Sequence, residues 1–300
     1  MIAALKRPPF IGALAFALVF IFTAIGHSVM VLIMDIFGGA QFLAAFAQGL
    51  LGAIMVYVGV RFNDNENVAT WLGFFGGSWL WAGWVEFSYV YFSRHVGIEP
   101  LDLGGGHKQL PEYMLLPSGI GLLFTTMLFF FFNRETRCNA FRWMHKHLHI
   151  PVGKPTLNYQ RNISAIVAME KFYITWFFYV FLLVAYDRRI LGAEHPGMYA
   201  IFFMFIIWSI YLLNRLRKFT RLTSAFRYSI ATALVAWNTV EILGRWRFMT
   251  EVWVQPQKYV LHMTIIVAAF ITVGVIFALF PSVEAPDKND DSNPASQPAE

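Results

Sequence analysis

The sequence predicts an all-α fold, a polytopic transmembrane helical bundle of about eight spans. Two observations carry this. Hydrophobic residues fill 57% of the 300 positions and charged ones only 14%, whereas a soluble domain carries roughly 25% charged residues. The apolar residues also gather into eight long runs. About 20 residues at roughly 1.5 Å each match the hydrocarbon thickness of a bilayer.

The expected spans are 10–34, 41–60, 68–92, 114–132, 172–190, 196–214, 227–244 and 258–280, forming one transmembrane domain over 1–281. Lys6 and Arg7 precede the first run in the manner of a signal peptide. The run then continues to Met34 with no A-x-A cleavage site, well beyond the roughly 7–15 apolar residues of a signal. It therefore reads as a retained span. The seventh run is interrupted by Thr232, Asn238, Thr239 and Glu241, so it belongs inside the bundle, sheltered from lipid. Residues 282–300 are rich in Asp, Asn, Ser, Pro and Ala and present no apolar face. They are expected to form a disordered cytoplasmic tail. No internal repeat is visible, which weighs against an inverted-repeat transporter.

With the N-terminus inside, 16 of the 23 Lys and Arg fall on one side of this layout and 7 on the other. The positive-inside rule then places both termini in the cytoplasm and the protein in the cell membrane, the inner membrane if the cell is bacterial. The net charge of +5 resides in the short loops between spans. It is a topology signal and no sign of nucleic-acid binding. The implied partners are the lipid bilayer and further membrane subunits. A single cysteine, Cys138, excludes an intrachain disulfide and a CxxC site.

Two loops are long enough to hold structure. In 134–171, Phe141, Met144 and Leu148 share a helical face and predict a short interfacial helix. His145 and His149 in that loop have HxxxH spacing, but without further histidine boxes they fall short of a di-iron ligand set. In 93–113, the glycines at 104–106 lack phosphate-loop spacing and predict a turn. Of the tryptophans in the third span, Trp71 suits an interfacial belt. Trp79, Trp81 and Trp84 lie deeper and are expected to pack the core or line a cavity.

The chemistry-bearing feature is a polar layer. His27, Glu86, Glu241 and His262 stand on four different spans, each about 5–10 Å below the outer boundary at the helical rise. Ionisable groups at that depth are costly unless paired or functional. Gly76, Trp79, Gly83, Glu86, Tyr89 and Ser93 form one stripe on their span, and Asn238, Glu241 and Arg245 another. Imidazole and carboxylate together suit iron, manganese or zinc, with copper leaning more on histidine. His27, Glu86 and His262 are the expected metal ligands, with His95 just above Glu86 as a further donor. Glu241 is expected as a fourth ligand or as a proton acceptor, and with it Tyr89 and Asp187, standing behind the ligands, complete the expected catalytic set. Haem between His27 and His262 is an alternative. The functions that fit are a membrane oxidoreductase acting on a small or lipid-soluble substrate, an ion- or proton-coupled transporter or channel, and a non-catalytic subunit of a larger complex.

Overall fold

The first long helix, α1 (Phe10–Phe37), ends where Gly38 adopts φ 46°, a backbone region that side-chain-bearing residues avoid. After a single turn at Gly38–Ala40 the chain enters α2 (Gln41–Arg61). Asn65 opens α3 (Glu66–Leu80) by accepting a hydrogen bond from the Val68 amide at 3.2 Å, satisfying one of the helix's free N–H groups. A π-helical turn, Trp81–Glu86, then leads into α4 (Phe87–Val96), which Gly97 terminates at φ 73°. This computed structural model describes residues 8–104, 107–109, 111–132, 139–151 and 162–278.

Where the sequence predicted a turn, an antiparallel hairpin pairs β1 (Leu101–Gly104) with β2 (His107–Gln109), Leu101 opposite Gln109. The short helix α5 (Pro111–Leu115) continues through a 3-10 turn into α6 (Ile120–Phe132). The segment expected to lie at the interface is helical as α7 (Asn139–His147). Its His145 is buried against Phe131, with Nε2 2.8 Å from the Phe131 carbonyl oxygen. The bundle is completed by α8 (Ile163–Tyr186), α9 (Pro196–Leu216), α10 (Leu222–Arg245) and α11 (Val260–Ala278). The expected disordered tail and Cys138 lie outside the described residues.

Among the described residues, five helical stretches are long and apolar enough to cross a membrane: Phe10–Arg61, Pro111–Phe132, Ile163–Tyr186, Pro196–Leu216 and Val260–Phe277. The first contains both α1 and α2. Two of the eight expected runs do not qualify, for different reasons. The run 68–92 is divided by the π turn, leaving helices of 15 and 10 residues on either side. The run 227–244 is one continuous helix, α10, but its polar residues dilute it. Thr232 and Asn238 are both buried, so α10 does sit inside the bundle.

Small residues bring α2, α3 and α8 into backbone contact, the usual basis of close helix packing where lipid supplies no hydrophobic drive. A Cβ on Gly77 would lie 2.6 Å from the Ala168 carbonyl oxygen, and one on Gly76 2.8 Å from that of Gly52. Phenylalanines fill the wider gaps. Phe22, Phe74 and Phe226 interlock at 5.0 and 5.1 Å between ring centroids, which accounts for part of the large phenylalanine content. Trp81 is buried as expected, against Trp176. Trp84 is not: it is 40% exposed and lies over Gly49, its Nε1 donating to the Phe46 carbonyl at 3.1 Å. Trp84 and Glu86 are two residues apart and so face opposite sides of the helix, one outward and one in. At the end of the bundle remote from the polar layer, Arg227 grips Glu170 through two hydrogen bonds, of 2.7 and 3.2 Å, tying α10 to α8.

Candidate functional site

The polar layer forms where the C-terminal ends of α1, α8 and α10 meet the π turn. On α1, His27 is half-buried and directs Nε2 to Glu241 Oε1 on α10, 3.3 Å away. The same carboxylate oxygen accepts a second hydrogen bond, from Trp237 Nε1 at 2.7 Å, one helical turn earlier on α10. For His27 to bond an ionised carboxylate through Nε2, that nitrogen must carry a hydrogen. Gaining a second proton at the other nitrogen would turn the contact into an ion pair.

Aromatic rings hold the imidazole in place. Trp237 lies 5.9 Å from it at an interplanar angle of 18°, and Tyr179 of α8 lies 6.4 Å away at 23°. Tyr179 makes the second connection, its hydroxyl donating to Glu86 Oε1 at 3.2 Å. Glu86 is buried, at 6% exposure. It sits at the last position of the π turn, a helix irregularity found mostly at functional sites. Tyr113 of α5 packs on Tyr179 with centroids 6.0 Å apart, and the buried Glu112 precedes it.

Three of the four in-layer residues, His27, Glu86 and Glu241, thus belong to one cluster. His262 does not join them. Its neighbour Met263 is the residue turned inward on α11, where it receives Ser28 Oγ at 3.5 Å. His262 itself is exposed and stands edge-on to Tyr259, with centroids 5.7 Å apart. A shift of one residue along a helix is about 100° of rotation, and depth alone carries no information about that angle. His95 is exposed and stacked on Tyr91 in the last turn of α4.

Asp187 ends α8, where its side chain accepts from the Arg189 amide at 2.8 Å, a local turn bond. Tyr89 is half-buried, with its hydroxyl against Gly119. Among the described residues no group of three His, Cys, Asp or Glu side chains is placed to hold a metal ion. Nor do His27 and His262 make the facing pair that bis-histidine haem ligation needs.

Sequence reasoning missed Tyr179, Tyr113, Glu112, Trp237 and Glu251. Trp237 was legible, being four residues before Glu241 and so on the same face. Tyr179 lies within the aromatic run Trp176-Phe-Phe-Tyr179, where nothing marks one ring as the polar one. Glu251 follows α10 in the loop to α11. Its carboxyl packs on Gly244, where an added Cβ would come within 2.6 Å of it. Burial, and after it the charge of Glu241, pushes the Glu251 carboxyl from its ordinary 4.5 up to about 7.

The fold and this cluster define a class: a helical, multi-pass membrane protein with a buried acid–base cluster joining three of its helices. Comparison with known protein families, curated proteins and solved structures finds no match to the chain.

Proposed function

We propose that this protein takes up, holds and passes protons at the His27, Glu241, Tyr179 and Glu86 cluster, as the coupling site of a proton-linked transporter or channel in the cell membrane. The observation that supports it most is the pairing of His27 Nε2 with Glu241 Oε1 at 3.3 Å beside a second, buried carboxylate. Such a pair exchanges a proton with little movement of heavy atoms, and imidazole is the side chain type most used as a proton shuttle. Intramembrane carboxylates and histidines mark proton relays in pumps and transporters.

A proton is also the cation that best fits the arrangement. Glu241 and Glu86 are engaged by Trp237, His27 and Tyr179, and these donors compete with a metal for the same oxygens. The reading of a metal-dependent oxidoreductase rests on the donor types alone and draws no support from their placement. In the proposed layout all eight runs cross or enter the bilayer, both termini are cytoplasmic, and the cluster opens toward the outer face.

The test is proton flux in proteoliposomes carrying an internal pH-sensitive dye, with the membrane potential clamped. Wild-type protein is expected to dissipate an imposed pH gradient, with Glu241→Gln and Glu86→Gln slower by at least about tenfold. Equal rates for wild type, both variants and protein-free liposomes would remove the proposal.

A further inference from the structure

The loop following α10 folds back over the cluster. Trp253 is buried against Trp237, with ring centroids 4.9 Å apart, and its carbonyl accepts from Ser28 Oγ on α1 at 3.0 Å. Since Ser28 adjoins His27 and Trp237 bonds Glu241, this single tryptophan fixes the loop to both sides of the acid–base pair. Two residues earlier stands Glu251, half-buried on Gly244, within electrostatic reach of Glu241, His27 and Arg245.

Tyr186, at the end of α8, closes the same region. The Arg245 guanidinium lies over its ring, 5.0 Å from the centroid. The Tyr186 hydroxyl is buried and has no hydrogen-bond partner among the described residues, although Glu241, Arg245 and Glu251 all act on it electrostatically. A buried hydroxyl without a protein partner is costly and is normally met by water. Glu241, Arg245 and Glu251 supply polar groups around it, as a bridging water requires.

We propose that Glu251 is the port through which the His27–Glu241 pair exchanges protons with the aqueous phase at this end of the bundle, by way of a hydrated gap bordered by Tyr186 and Arg245. The proposal rests on the proton-handling function above and adds its entry point. In the inward direction, hydronium gives a proton to the Glu251 carboxylate and leaves water. The Glu251 carboxyl then releases that proton through the bridging water to the His27–Glu241 pair, which gains one unit of positive charge, and the Glu251 carboxylate is restored. Arg245 holds positive charge beside both carboxylates, so the proton passes on instead of resting between them. A carboxyl titrating near 7 is suited to the task, since transfer is fastest when donor and medium are matched.

The experiment is a stopped-flow pH jump on the purified protein in nanodiscs, following the infrared bands of the buried carboxyls and the imidazole. Glu251→Gln is expected to lose the band of Glu251 itself and to reach the wild-type final state in the imidazole and remaining carboxyl bands, at a rate slower by at least about tenfold. Glu251→Ala should be equally slow and should recover on addition of formate, whose carboxylate fits the space left behind. An unchanged rate in Glu251→Gln, or a slow rate in Glu251→Ala that formate does not restore, would overturn the port. A wild-type spectrum that does not respond to pH at all would instead overturn the underlying proton-handling function.

Discussion

Glu241 Oε1 accepts from both His27 and Trp237, so its charge is answered by two donors from two helices. The sequence offered another partner, Arg245, four residues along. In the structure that guanidinium lies over Tyr186 instead. Glu86 is answered by one phenol, Tyr179. Changing Glu86 to Gln keeps the shape and removes the exchangeable proton, so expression and thermal stability should stay close to wild type while proton flux falls. Glu251 yields a pH prediction. Its folded-state carboxyl titrates at about 7 against an ordinary 4.5. Between these values the native state binds the proton and the unfolded state does not. Its contribution to stability is therefore full below 4.5 and is lost as pH rises toward 7. Glu251→Gln should remove that component. Thermal unfolding in detergent across this range should then show a shallower fall for the variant than for wild type, and parallel curves would contradict it.

At the level of elements, the π turn does most to shape the site. A regular helix over 68–92 would have kept Gly83, Glu86, Tyr89 and Ser93 on one stripe. The wider turn at Trp81–Glu86 buries Glu86 and Phe87 side by side and leaves Tyr89 at the edge of the interior. Hydrophobic periodicity shows where apolar residues lie, but it does not show an inserted residue. The inward face was legible all the same, since Gly76, Gly83, Glu86 and Ser93 are all buried; the inserted residue was not. The rotation of α11 was hidden similarly. That helix is apolar nearly all round, so Met263 and His262 were equally good candidates for the inner face. By contrast, the burial of α10 could be read directly, because Thr232, Asn238 and Glu241 have no place in lipid. The glycines of α3 give a test at this scale. Gly77→Val would force a branched side chain into the Ala168 backbone and should lower stability by about 1–3 kcal/mol. Chemical denaturation in mixed micelles would measure it, and a wild-type midpoint would refute the close α3–α8 contact.

At the scale of the whole molecule, the cluster gathers at one end of the bundle, and the Glu170–Arg227 pair ties α8 to α10 toward the other. Composition and run length made the membrane-embedded helical fold legible. The expected eight-span layout and its orientation rest on the basic residues, 16 of 23 falling on one side. Topology reporters placed after Glu300 and within 100–108 should report opposite sides of the membrane, and matching sides would refute the eight-span layout. The central claim is that His27, Glu241 and Glu86 share protons as one unit. An infrared pH-difference spectrum of the protein in nanodiscs, with isotope-labelled histidine, tests this most directly. A reversible carboxyl band that loses intensity in Glu86→Gln is expected, together with an imidazole band that shifts in Glu241→Gln. A wild-type spectrum without either band, or variants whose spectra superimpose on it, would rule out proton sharing within the cluster.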